Sequence, residues 1–142
     1  MFASESERFS RVKNDPVLND DLISHGLKWG KPDLICWYEN PLRKRWRQIK
    51  AGQGPFIDNF TKYFNCKHKF IDHHYSHACA GYYTSKFNNC AILVIDAIGE
   101  FQTLSIWKAI GNRIYLLYEL KYPNSIGLWY SAMTQRIGLK PN

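Results

Sequence analysis

Helical and strand periods alternate along the early part of the chain and give way to a run of strands later. Asn14-Asp15-Pro16 marks a turn, and the residues after it predict a helix near 17–27 that closes at Gly26 or Gly30. The short apolar run 34–38, bounded by Pro32 and Pro41, predicts a buried strand. Leu42, Trp46 and Ile49, spaced four and three, predict a helix over the basic segment 41–50, with that stripe packed on the core. Phe56, Phe60, Tyr63 and Phe64 again repeat at helical spacing, and 68–71 reads as a brief strand. Residues 74–84 predict a helix whose small side chains, Ser76, Ala78, Ala80 and Gly81, permit close packing.

The uninterrupted apolar run 90–95 predicts a buried strand ending at Asp96. Residues 102–109 alternate as the next strand, Gly111-Asn112 is a two-residue hairpin signal, and 113–122 returns antiparallel. Ser125 is the expected N-cap of a final helix that ends at Gly138, with Pro141 as a stop. The sum is an α/β domain with a mixed sheet and flanking helices.

Composition changes this picture little. An apolar share of 45% with 15% aromatics suits a packed core. No apolar run approaches the length of a membrane span, and the charged residues 4–8 leave no room for the apolar region of a secretory signal. Cysteines 36, 66, 79 and 90 form no Cys-x-x-Cys pair, so a reduced, cytoplasmic chain is the expectation.

Charge adds one question. The net charge of +7 is concentrated in 41–50, which carries five cations and no anion. With Trp46 interleaved, such a run can contact phosphates and stack on a base, the signature of a small nucleic-acid-binding module. A solvated helix face is the simpler reading, because one basic patch without a recognised binding fold does not define a nucleic-acid interface.

Candidate chemistry centres on 72–81. His73, His74 and His77 are three of the five histidines in the chain. His73 and His77, four apart, lie on one face of a helix and can share one metal ion. Asp96, a hard oxygen donor at the predicted end of a strand, completes a metal set. Cys66, His68 and Cys79 add soft donors nearby, but ligands bunched on one strand and one helix cannot surround a tetrahedral zinc. Gly99 and Glu100 follow Asp96 in a tight turn, where Gly99 allows close approach and Glu100 offers a proton acceptor or a further ligand. The alternative for Glu100 is a solvated turn residue. Ser125 and Gly127 open the last helix, whose N-terminus suits an anion; many such serines only cap.

Four blocks in collinear order carry a resemblance. They are Glu7-Arg8-Phe9-Ser10-Arg11-Val12-Lys13, His73-His74-Tyr75-Ser76-His77-Ala78, Val94-Ile95-Asp96-Ala97-Ile98-Gly99-Glu100, and Ser125-Ile126-Gly127-Leu128-Trp129-Tyr130 with Thr134, Gly138 and Leu139. Together they resemble the carbamoyltransferases related to nodulation O-carbamoyltransferases and to antibiotic-tailoring carbamoyltransferases. Ala97 stands where a glycine is usual in that family, and Lys86 where a proline is common.

The resemblance implies an ASKHA (actin/hexokinase, ribonuclease H-like) half-domain. It implies transfer of a carbamoyl group from carbamoyl-adenylate, made from ATP and carbamoyl phosphate in a second domain, to a hydroxyl of a sugar or antibiotic-like acceptor. By position, His73, His77 and Asp96 would hold an iron-type divalent metal. Lys13, His74 and Glu100 would be catalytic, and Ser125 and Gly127 would bind the cofactor. Residues 1–142 would then be a partial N-terminal domain, without the family's first hairpin or its second half. Such a piece is expected to be inactive alone and to depend on a complementing chain, or else to be a non-catalytic remnant; neither a membrane nor nucleic acid is expected as a partner.

Overall fold

The computed structural model describes residues 4–13, 15, 18–50, 52 and 64–140. The elements in chain order are α1 (Glu7–Ser10), α2 (Asp20–Leu27), β1 (Leu34–Trp37), α3 (Pro41–Lys50), β2 (Lys67–Phe70), α4 (His73–Tyr83), β3 (Asn89–Gly99), β4 (Gln102–Ile110), β5 (Arg113–Lys121) and α5 (Ile126–Arg136). All but the single turn α1 were expected. The aromatic repeat at Phe56, Phe60 and Tyr63 falls outside the described residues, as do Asn14, Pro16 and the start of the helix expected from residue 17.

Two sheets result. β1 and β2 pair in parallel, with Leu34 opposite Lys67 and Trp37 opposite Phe70. β3, β4 and β5 form an antiparallel meander. Its tight links are local: Glu100-Phe101 joins the first two strands, and Gly111-Asn112, with Gly111 at a φ of 54°, joins the last two. A positive φ suits glycine, which has no Cβ to clash there. The fold is therefore α/β with one parallel and one antiparallel sheet.

Alternation along β3 decides what the meander covers. Ile92 and Val94 share a face with their partners Trp107 and Ser105, and α4 packs on that face. Ala78, Val94 and Trp107 are buried there, with Tyr75, Ile92 and Ile114 packed against them. The Tyr82 hydroxyl lies 2.7 and 2.6 Å from the carbonyls of Asn88 and Gly111, fixing the far end of α4 to the strand ends. On the opposite face Leu93, Ile95, Tyr115 and Tyr118 are exposed. The run 90–95 is thus half covered, rather than buried on both sides. α5 packs against β3, and Ser125 Oγ, at the start of α5, donates to the Ala97 carbonyl at 2.7 Å.

Two expectations about these elements are corrected. Asp96 does not end its strand: β3 runs on to Gly99, and the pairing with β4 shifts register between Ile95 and Gly99. A bulge of this kind redirects side chains without terminating the strand. The stripe Leu42, Trp46 and Ile49 does not pack on the core either; these residues are 75, 63 and 59% exposed. The cationic side of α3 faces the protein instead, because buried acids draw it there. Among the described residues, no helix is long and apolar enough to cross a membrane.

Candidate metal centre

α4 begins at His73 and β3 breaks register after Ile95, so the two elements deliver their polar side chains to one place. His73 Nε2 lies 2.8 Å from Asp96 Oδ2 and 3.0 Å from His77 Nε2. All three donor atoms fall within 4.8 Å of one another. A single ring nitrogen offers one hydrogen or one lone pair, so two polar partners around His73 Nε2 exceed what hydrogen bonding satisfies well. A cation suits the arrangement better: ligands about 2.1 Å from one ion at right angles stand about 3 Å apart. His77 is exposed and His73 and Asp96 are partly so, which leaves an open side. Tyr38, just after β1, meets the His73 ring edge-on at 5.5 Å.

Behind this cluster the packing is tight. A Cβ at Gly99 would lie 2.6 Å from His73 Cδ2, 2.8 Å from His74 Cδ2 and 2.9 Å from Asp96 Oδ2. The close approach at Gly99 is made by the histidine pair and Asp96, whereas the expectation was of a ligand. His74 is fully buried, and its Nδ1 lies 2.7 Å from Ser105 Oγ, which also accepts a hydrogen bond from Trp107 Nε1 at 2.7 Å. Burial pushes the His74 pKa down, against the opposing pull of the Asp96 charge. Among the described residues its Nε2 has no hydrogen-bond partner within 3.5 Å. Burial thus disfavours the charged form of His74, which lies beneath the cluster rather than at its open side.

The other expected site residues fall in three places. Glu100 is not a solvated turn residue: it is 4% exposed with a φ of 60°. Its Oε1 accepts the Asn40 N–H at 2.7 Å, its Oε2 lies 3.2 Å from Arg43 Nη1, and its carbonyl accepts from Arg47 at 3.2 Å. That carboxylate is held by α3 and by the residue that precedes it. Ser125 and Gly127 stand at the start of α5, where Ser125 accepts the Leu128 N–H at 3.0 Å. Gly127 lies so near β3 that a Cβ would come within 2.7 Å of the Ala97 backbone and the Asp96 carbonyl. Lys13 is exposed beyond α1, and among the described residues no hydrogen bond or ion pair joins it to the cluster.

Sequence reasoning missed the charged groups that frame the centre. Arg43 bridges Asp72 and Glu100, and Arg47 and Lys44 pair with the buried Glu39. Hydrogen bonding to Glu100, then the Asp72 charge, raise the Arg43 pKa above its ordinary value. No short-range pattern signals the partners of Arg43, which lie 29 and 57 residues away in sequence. Three of the five cations of the basic run thereby pair within the protein. Beside Arg43 a cavity of about 470 Å³ opens between Asp72, Trp107, Glu119 and Lys121. There Lys121, with Gln102, lowers the Glu119 pKa.

Two histidines and one carboxylate could hold a metal ion, a donor set used in metal-assisted group-transfer and oxygen chemistry. Comparison with known proteins narrows it. Residues 34–142 match the family described as carbamoyltransferase N-terminus, and the chain belongs to that family. Over 73 residues, 51% of the chain, it is 41% identical to uncharacterized protein sll1178 of Synechocystis sp., covering 12% of that protein. Over 142 residues, 99% of the chain, it is 26% identical to uncharacterized protein MJ1051 of Methanocaldococcus jannaschii, covering 26% of it. The chain spans no more than about a quarter of the length of either relative.

Proposed function

We propose that this chain is the N-terminal, ASKHA-type half-domain of an O-carbamoyltransferase, and that it contributes three ligands of a metal site. The convergence of His77 Nε2 and Asp96 Oδ2 on His73 Nε2 carries the reading, together with family membership. In the reaction an acceptor hydroxyl attacks the carbamoyl carbon of carbamoyl-adenylate; the bond from that carbon to the phosphate oxygen breaks and AMP leaves. A divalent, iron-type ion would polarise the phosphate and offset the charge on the departing AMP. The remaining roles belong to the chain. Buried His74 holds the first turn of α4 against Ser105 and keeps the His73 ring oriented. Ser125 and Gly127 bring the start of α5, with its free N–H groups, close to Asp96, within reach of an adenylate phosphate.

The acceptor-binding site, the adenylate-forming domain and the proton acceptor are proposed to lie in a longer or complementing chain. The open face bearing Leu93, Ile95 and Tyr118 is where such a chain would pack. The four unpaired cysteines fit a cytoplasmic setting.

The test is anaerobic titration of the purified protein with Fe²⁺. One ion per chain is expected, with affinity reduced at least about 100-fold in His77→Ala. Equal affinity in the variant overturns the assignment.

A further inference from the structure

The three donors come from two elements, His73 and His77 from α4 and Asp96 from β3. Metal–ligand distances tolerate errors of only about 0.2 Å, so the spacing of those two elements has to be fixed by something other than the ion. We propose that Arg43 is the positioning residue that sets this spacing, an inference that rests on the metal reading above.

The acids on either side of the donor set both turn to one guanidinium nitrogen. Arg43 Nη1 lies 2.8 Å from Oδ1 of Asp72, which immediately precedes α4, and 3.2 Å from Oε2 of Glu100, which immediately follows β3. Neither acid sits in its locally preferred state. Asp72 holds the N-cap position of α4, where a carboxylate ordinarily accepts a hydrogen bond from the helix, yet its side chain makes no such bond. Glu100 holds a left-handed backbone, φ 60°, that disfavours any residue with a Cβ. Glycine would relax that turn, and a capping Asp72 would strengthen its helix. Both departures aim a carboxylate at Arg43.

The bridge is in turn fixed to α3 at several points. The Asn40 N–H donates to Glu100 Oε1, and Arg47 donates to the Glu100 carbonyl and to Glu39. Between Asp96 and Glu100 lies Gly99, packed against His73 and His74. A shift of Glu100 is therefore passed directly to Asp96, and a shift of Asp72 to His73.

Co²⁺ is the probe, because its visible absorption reports ligand geometry as well as occupancy. Arg43→Met removes the charge at similar length, and is expected to weaken Co²⁺ binding about 10- to 100-fold and to alter the absorption of the bound ion. Arg43→Lys should recover part of the affinity and the wild-type spectrum. Asp72→Asn changes an exposed carboxylate, so folding tolerates it; it should show a smaller loss of the same kind even where Arg43→Met fails to fold. Wild-type affinity and spectrum in Arg43→Met and Asp72→Asn, with binding lost in His77→Ala, overturns the positioning role and leaves the metal site standing. No Co²⁺ binding to the wild-type protein overturns both.

Discussion

At Gly99 the difference of one methyl group bears on three side chains of the centre. His74 cannot yield, because it is fully buried against Ser105 and Trp107. The strain from a Cβ would fall on His73 and Asp96, whose mutual distance defines the donor set. Gly99→Ala is therefore expected to cost about 1–3 kcal/mol in urea unfolding, as overpacking does; unchanged stability would show that the turn can shift. Sequence made this glycine legible as a point of close approach, and the spacing of His73 and His77 made them legible as a pair. Glu100 was not legible. Its solvated alternative failed because Asn40, Arg43 and Arg47 reach it from residues far away in the chain, and no local rule encodes such partners.

Elements obey the same limit. The period of 41–50 identified α3 correctly, but periodicity says only that one side is apolar, not which side is covered. Here Glu39 and Glu100, each almost fully buried, need positive partners and turn the cationic side inward. α5 was read more fully, since its signals are local: Ser125 caps it, and Gly138 at a φ of 82° follows its end. What no local signal revealed is that the capping hydroxyl also bonds the Ala97 carbonyl across the turn to β3. Ser125→Ala is expected to lose about 1–2 kcal/mol of stability, the upper part of the usual capping range, because one substitution removes both contacts. Ser125→Thr should restore most of it. Equal stability of all three proteins in thermal unfolding would mean that the helix is held by packing alone.

For the whole molecule, the meander was readable because its turns lie in the sequence next to the strands they join. The β1–β2 pairing was not, since neither the short apolar run of β1 nor the mostly polar Lys67–Phe70 carries a mark of whether they pair in parallel or with one another. Residues 38–66 lie between those two strands, whereas only two residues separate β3 from β4 and β4 from β5. That contrast sets an order of assembly. Closing a long loop costs chain entropy before any strand contact offsets it, while hairpins close at once. In refolding followed by pulsed hydrogen exchange, amides of β3–β5 should be protected before the Ile71 N–H that bonds Trp37. Simultaneous protection would contradict this order. Since α3 lies inside the late-closing loop, the Arg43 bridge belongs to the final step. The histidines reach their platform early, and the centre gains its working dimensions last.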